Sequence, residues 1–574
     1  MRDKEGHTGE SIGGWQITIA SQIGRRHYYA TIQPSCTRVN GRLQMFDTLI
    51  RNGTVIDGTG RLRYEADVGI SDGKIETIGH LEYTEAARTV DATDLIVAPG
   101  FIDMHSHSDV TLLDDPGGES KAHQGVTTEV VGNCSFSPYP IGQSGPEGAS
   151  DPDMSSRYPW TWTTLDGWAN TLESNGISIN VAPQVGHSAL RAAVGLREDR
   201  RPTPDELQAM RKLLTESIEQ GGFSFSTGLT VAPSMYGDTD EIASLAKALS
   251  AFDGAFYVTH ARLWAGNHVR AVEEAVEIGK RAGVPVQYSH MAIIDSRFYG
   301  TGEEMVAPLE QARADGIDAT YDVYPYTAAG THLAQSIPAW LQEGGESAML
   351  KRLRNPVERE RATEDIRQGH FGGLPWKFDT FVISYVKTEA NQNIIGKSVE
   401  EIASDRGQDP HETYLALIEE EDNRVGAVVH NRVESDVRYF LSHPLAMIGS
   451  DGNAISPTGI HRSEQPHPRF YGTYPRILGR YVREQSIMSL ETAIRKMTGM
   501  PAERLRLTDR GIIEIGRVAD LAIFDPAQVI DMSTFDDPHN LAAGVNHVLV
   551  NGKTIISDGV HNGSRPGRVL RRGS

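Results

Sequence analysis

The sequence predicts an α/β fold: a (β/α)8 TIM barrel, a small β-sandwich built from both chain ends, and an inserted subdomain. Three observations lead to this prediction. Short apolar runs broken by Gly and Asp occupy both ends, strand-like runs alternate with helix-length segments between them, and one charged stretch interrupts the alternation. At 574 residues the chain is too long for one ordinary hydrophobic core, so several structural units are expected.

Both ends of the chain have the pattern of short antiparallel strands joined by tight turns. The runs DVGI at 67–70 and ADLAIF at 519–524 are typical, since each is bounded by turn residues. We therefore expect 45–98 and 507–565 to meet in one β-sandwich.

The middle of the chain, 99–506, is predicted to form the barrel. A helix begins after the cap residue Thr203 with Pro204 in its first turn, and a second helix runs over about 268–281. Strand and helix in repeated alternation favour a parallel barrel over a doubly wound open sheet, because no Gly-rich phosphate-binding motif follows the first strand. The strand-like runs lie at 177–185, 222–227, 255–260, 284–290, 318–324 and 445–451.

One stretch, about 338–428, is too long for a barrel loop and is highly charged around 351–367. We interpret it as a subdomain inserted at the top face, either a lid or a passive surface elaboration.

The N-terminal segment, 1–44, lacks the apolar run of a signal peptide and is expected to be a disordered leader or an artefact of start-codon choice.

The charge balance argues against two classes of partner, although many enzymes are acidic simply for solubility. With 76 acidic and 55 basic residues the formal charge is −21, which repels nucleic acid and anionic membranes. No apolar run approaches the ~20 residues of a membrane helix. The only two cysteines, Cys36 and Cys134, exclude a disulfide scaffold and favour a reducing, cytoplasmic compartment. A homo-oligomer is compatible with all of this.

Histidines mark the ends of predicted strands. His105 and His107 follow the run APGFID at 98–103, and residues two apart in a strand point to the same side, so both imidazoles can face one metal. His260 and His290 close two further strand-like runs, and Asp451 follows the apolar run at 445–449. Active sites of such barrels gather at the carboxyl ends of strands, so these residues are expected to converge.

These segments, with those at both chain ends, resemble the amidohydrolase superfamily over nearly the whole chain from Met45 onward. Many binuclear members carry a bridging carboxylated lysine on the fourth strand, but 221–229 contains no lysine. Cys134 instead ends the second strand, and a cysteine there is the mark of the N-acyl-D-amino-acid deacylases (D-aminoacylases). A thiolate is a strong zinc donor and can bridge two ions.

The resemblance implies a set of ligands. Cys134, His260 and His290 would hold a tightly bound zinc ion. His105, His107 and Asp451 would border a second, weaker metal position, whose occupancy the sequence leaves open. Asp451 would also act as the base that takes a proton from water and passes it to the departing nitrogen.

The resemblance also assigns Arg469, Tyr324 and Ser289 to substrate binding, with Arg469 gripping a carboxylate. Two departures weaken that grip, because Ala292 replaces the usual lysine and Val231 replaces a tyrosine. The expected substrate is a small-molecule linear amide, an N-acyl-D-amino acid or a related N-acyl amino acid or dipeptide. The two departures favour a larger, more apolar amide or a dipeptide over a small N-acetyl-D-amino acid. Two alternatives are a cyclic-amide hydrolase of the hydantoinase or dihydroorotase type, which would need the absent lysine, and a non-catalytic structural barrel, which would have lost ligands.

Overall fold

The structure is a computed structural model that describes residues 11–12, 15–16, 45–81, 84–143, 145, 158, 160–371 and 373–573. The predicted leader, 1–44, lies outside the described residues apart from Ser11–Ile12, which pairs with Trp15–Gln16. Within the described ranges, no helix combines the length and the apolarity needed to cross a lipid bilayer.

A parallel barrel forms the centre of the protein, as the sequence predicts. Adjacent strands pair in parallel throughout. The last strand returns to the first through a hydrogen bond of 3.2 Å from Met104 N to Ile448 O and a parallel bridge between Ser106 and Gly452. In the described part of the chain the eight strands are Phe101–Asp103, Val126–Val131, Asn180–Pro183 continued by Val185–Gly186, Ser224–Gly228, Phe256–His260, Val286–Tyr288, Ala319–Val323 and Ala446–Ile448.

Helices surround the barrel and begin and end where the local sequence predicts. Thr203 and Glu206 form a reciprocal capping box at the start of Pro204–Glu219, which satisfies two backbone donors there. Gly283 ends His268–Ala282 in the left-handed conformation that glycine adopts without steric cost. The α-helices that accompany the barrel strands are Thr111–Asp114, Glu119–Ala122, Leu165–Asn175, His187–Ala193, Pro204–Glu219, Thr239–Ala246, His268–Ala282, Gly302–Ala314, Glu434–Ser442, Arg469–Arg476, Leu490–Met497 and Gly499–Leu505, and a π-helix spans Ile477–Glu484.

Both chain ends meet in one sheet of nine strands. The junction is the antiparallel pair Ile96–Pro99 and Leu521–Phe524, and a buried apolar cluster that includes Val68 and Ile523 packs on it. Beyond the sheet, the chain runs back along the barrel, where Leu570 N donates to Val181 O over 2.8 Å. The nine strands among the described residues are Phe46–Val55, Tyr64–Ser71, Lys74–Gly79, Ala86–Asp91, Ile96–Pro99, Leu521–Phe524, Val545–Val550, Lys553–Ser557 and Val560–His561.

The predicted insertion, 338–428, falls in a unit with its own hydrophobic core. Three antiparallel strands, Ala329–His332, Phe381–Val386 and Val425–Val429, carry this inserted unit, so its first strand begins before residue 338. Its helices are Ala339–Gln342, Glu346–Leu353, Pro356–Arg367, Val399–Arg406 and Pro410–Glu420.

Candidate metal centre

The six side chains predicted to bind metal all lie at the carboxyl ends of barrel strands. Because the strands are parallel, these ends share one rim of the barrel. His105 and His107 follow the first strand, Cys134 the second, His290 the sixth and Asp451 the eighth, while His260 is the last residue of the fifth.

Three of these residues have left-handed backbone conformations that side-chain-bearing residues seldom adopt. The φ angles are 52° at Cys134, 36° at His290 and 53° at Asp451. Hydrogen bonds hold two of them: Asp451 N donates to His105 O over 2.7 Å, and His290 N donates to the Asp322 carboxylate over 2.8 Å. A residue keeps such a conformation only where the surrounding contacts impose it. Here the conformation brings the three side chains into one cluster.

Four of the side chains form the first donor group. The distances are 3.2 Å from His105 Nε2 to Cys134 Sγ, 3.5 Å from His105 Nε2 to Asp451 Oδ1, and 3.0 Å from His107 Nε2 to Asp451 Oδ1. Four donor atoms, one from each residue, lie within 4.8 Å of one another.

Cys134, His260 and His290 form the second donor group. Cys134 Sγ lies 3.5 Å from His290 Nε2, which lies 2.9 Å from His260 Nδ1. The thiol therefore belongs to both groups. One sulfur and two imidazole nitrogens, on residues that line a cavity, are a donor set that suits a catalytic zinc ion.

The electrostatics of the cluster favour the charged forms of its acidic members. Burial raises the pKa of the Cys134 thiol, but the His105 and His290 imidazoles outweigh burial and hold that pKa well below its usual value. Burial likewise raises the pKa of Asp451, and the Arg469 guanidinium and His105 outweigh it, so this carboxyl also has a pKa well below its ordinary value.

Asp322 supports the cluster from behind and was not among the residues singled out from the sequence. Its Oδ1 lies 3.1 Å from His105 Nδ1 and also accepts the His290 backbone N–H, while its Oδ2 accepts from Gln287 over 2.9 Å. A carboxylate on the far nitrogen of a ligating imidazole fixes the ring's orientation. The signal available in the sequence was an aspartate inside the strand-like run 318–324; the structure shows that this aspartate is fully buried in the strand Ala319–Val323.

A cavity of about 380 Å³ opens beside the cluster, and the three residues expected to bind substrate line it. Arg469 Nη1 lies 2.9 Å from Asp451 Oδ2, an ion-pair contact without the angles of a hydrogen bond. The buried hydroxyls of Tyr324 and Ser289 have no hydrogen-bond partner of ordinary geometry among the described residues. Buried polar atoms without partners inside a cavity are suited to a ligand.

Two further observations concern the cavity wall. Val231 and Ala292, the two departures from the deacylase pattern, both line it. So does Arg432, which lies in the loop after Val425–Val429 with its guanidinium carbon 4.4 Å from the Tyr324 ring centre. Sequence reasoning missed Arg432, because no motif distinguishes an arginine in a polar loop.

Comparison with known proteins gives consistent results. The amidohydrolase family model matches residues 88–356 and 390–556. The chain is 34% identical to a D-aminoacylase of Alcaligenes xylosoxydans xylosoxydans over 92% of this chain and 98% of that protein. The structure of N-acyl-D-glutamate deacylase from Bordetella bronchiseptica, complexed with zinc and a phosphonate inhibitor, matches with a TM-score of 0.77 and 32% identity over 92% of this chain and 100% of that one. A D-hydantoinase structure, 16% identical with a TM-score of 0.53 over 92% of this chain and 99% of that one, shares the fold alone.

Proposed function

Since this chain belongs to the amidohydrolase family, we propose that it is a zinc-dependent hydrolase of small linear amides. The substrate is an N-acyl-D-amino acid or a related N-acyl amino acid or dipeptide, and the products are a carboxylate and a free amine. The similarity to D-aminoacylase and to N-acyl-D-glutamate deacylase over most of both chains supports this class.

One observation carries the proposal: Cys134 Sγ lies 3.2 Å from His105 Nε2 and 3.5 Å from His290 Nε2, between two donor groups. A thiolate shared by both groups would take the role that a bridging lysine has in a cyclic-amide hydrolase. The fourth strand, Ser224–Gly228, contains no lysine, which argues against the hydantoinase alternative. A complete set of ligand types argues against a non-catalytic barrel.

Cys134, His260 and His290 would hold the tightly bound zinc ion, and His105, His107 and Asp451 would border a second, weaker position. The chemistry that zinc supplies when bound is Lewis acidity, which lowers the pKa of water and polarises a carbonyl group. The low pKa of the Cys134 thiol suits this role, because only the thiolate binds metal.

Asp451 would move the proton. Its carboxylate lies between His107 and Arg469, at 3.0 Å and 2.9 Å, and both contacts favour the ionised form that a general base requires. It would accept a proton from the attacking water and return it to the departing nitrogen. Tyr324 and Ser289 would orient the substrate through hydroxyls that lack partners within the described ranges.

The apolar wall formed in part by Val231 and Ala292 favours substrates with an apolar portion. This separates the chain from deacylases that would place a cation and a phenol at those positions.

The test is zinc analysis of the purified protein combined with a screen of N-acyl-D-amino acids, N-acyl-L-amino acids, dipeptides and hydantoins. We expect about one zinc ion per chain and hydrolysis of D-configured acyl amino acids. Turnover of hydantoins with no turnover of any linear amide would contradict the proposal.

A further inference from the structure

A second guanidinium faces the cavity from the loop that follows the last strand of the inserted unit. Arg432 N donates to Thr327 O over 3.1 Å, which fixes the loop, and the Arg432 guanidinium carbon lies 4.4 Å from the centre of the Tyr324 ring. The Arg469 guanidinium carbon lies 4.7 Å from the centre of the same ring. Two cations, one before and one after the last barrel strand, therefore contact the same Tyr324 ring beside the cluster of metal-binding residue types.

Arg432 has no acidic partner in the described part of the chain. No carboxylate there lies within ion-pair distance of its guanidinium, and its buried Nε lacks a hydrogen-bond partner. Arg469 differs, because Asp451 lies 2.9 Å from it.

The polar atoms beside Arg432 are also donors. The Tyr324 hydroxyl, the Arg432 Nε and the Arg469 Nε are buried, and none has a partner of ordinary geometry among the described residues. A guanidinium has donors and no acceptor, so a ligand that satisfies its free hydrogen-bond donors must supply acceptor atoms. A carboxylate, with about four lone-pair sites and a negative charge, can accept from several such donors at once.

We propose that Arg432 binds the main-chain carboxylate of the substrate together with Arg469 and Tyr324, so that the enzyme selects free acids over neutral amides of the same compound. This inference rests on the proposed function. It also changes one expectation from the sequence: the cation lost at Ala292 is compensated by a cation from the loop that follows the inserted unit. Arg432 is a binding residue in this scheme and takes no part in proton transfer.

The test compares N-acetyl-D-leucine with its C-terminal carboxamide in the zinc-loaded enzyme. Arg432→Met is expected to raise KM for the acid by roughly 10- to 100-fold, because hydrogen bonds to charged groups are worth that much in binding. KM for the carboxamide should change little. Arg432→Lys keeps the charge and loses the forked geometry of the guanidinium. Its KM for the acid should therefore lie between those of the wild type and Arg432→Met.

Arg438→Met is the matched control, since Arg438 is exposed on helix Glu434–Ser442 and should leave both KM values unchanged. Equal losses on acid and carboxamide in Arg432→Met would mean that Arg432 only holds the Tyr324 ring, and would overturn the proposal. A loss confined to N-acetyl-D-glutamate would assign Arg432 to a side-chain carboxylate and would overturn it too. If Arg432→Met does not fold, the same comparison with Arg432→Lys decides.

The two proposals fail in different ways. If the wild-type enzyme hydrolyses neither acid nor carboxamide, the proposed function is wrong for this substrate. Binding of N-acetyl-D-leucine by calorimetry then still tests Arg432, because its substitution should weaken binding of the acid and leave the carboxamide unaffected.

Discussion

Gln335 Nε2 donates a hydrogen bond to Thr230 Oγ1 over 2.8 Å, and Thr230 Oγ1 lies 2.6 Å from His260 Nε2. Gln335 belongs to the turn Leu333–Ser336 of the inserted unit, whereas His260 ends a barrel strand. The inserted unit thus reaches a predicted metal ligand through one hydroxyl, on the ring nitrogen opposite the one that faces His290.

We predict that Gln335→Leu weakens zinc binding, because Gln335 holds Thr230, the direct partner of His260. The loss should be at most the roughly 10- to 100-fold that removal of a direct partner behind a ligating histidine typically costs. Competition with a chelator measures the affinity. Gln342→Leu is the control, since Gln342 makes a buried hydrogen bond within the same unit, to Ile337 O over 3.1 Å. Equal zinc loss in both variants would mean that disruption of the inserted unit, and not the Thr230 contact, is responsible.

Cys134→Ala should release most of the zinc, since it removes the one sulfur that both donor groups share. Metal content after dialysis measures the effect, and Cys36→Ala, at the chain's other cysteine, is the control. Full zinc retention by Cys134→Ala would remove the cysteine from the site.

Asp451→Asn should keep the tightly bound zinc, whose proposed ligands are Cys134, His260 and His290, and should lower kcat by about 10²- to 10⁴-fold because the general base is lost. Metal analysis and steady-state kinetics are made on the same preparation. An active Asp451→Asn enzyme would rule out the proposed proton transfer.

Lys121 forms a buried charge cluster beneath the site. Its Nζ lies 2.8 Å from Asp103 Oδ2 and 3.1 Å from Glu129 Oε1, and all three side chains are fully buried. Lys121→Met leaves two buried carboxylates without their cation and should lower the free energy of unfolding by about 3–5 kcal/mol. Urea denaturation measures the loss, and Lys121→Met combined with Glu129→Gln should recover part of it. No recovery would mean that packing, and not charge, determines the cost.

Lys496 should make the free energy of unfolding depend on pH in the alkaline range. Burial lowers the pKa of its ammonium to about 7, although Nζ donates to Leu441 O over 2.9 Å. The unfolded chain, with an ordinary lysine pKa near 10.4, therefore binds the proton more tightly between about pH 7 and 10. Stability contributed at this site should rise with pH across that window, because the unfolded state holds more protons there.

The measurement is the free energy of unfolding of wild type minus that of Lys496→Met, followed from pH 7 to 10. The difference should shift in favour of the wild type as pH rises. A flat difference would mean that Lys496 stays charged in the folded protein.

The barrel and its carboxyl-end histidines could be predicted because their signals are local. Apolar runs that end in His260 and His290, and the pair His105 and His107 after APGFID, are visible in short windows of sequence. Parallel strands then force such residues onto one rim, so convergence follows from topology without knowledge of any contact. Cys134 needed the family resemblance, since a single cysteine has no distinctive pattern.

The sequence by itself thus determined the fold class, the family and the residue types offered to metal. Only the tertiary structure decided what surrounds them: Asp322 behind His105, Gln335 behind Thr230, and Arg432 beside Tyr324. The physical reason is that these contacts join segments far apart in the chain. One of them depends on how the inserted unit packs over the barrel, and another on the loop by which the chain leaves that unit. The periodicity of a sequence predicts which face of a strand or helix a residue occupies. The contact partner of that residue in a distant segment is determined only when both segments have folded.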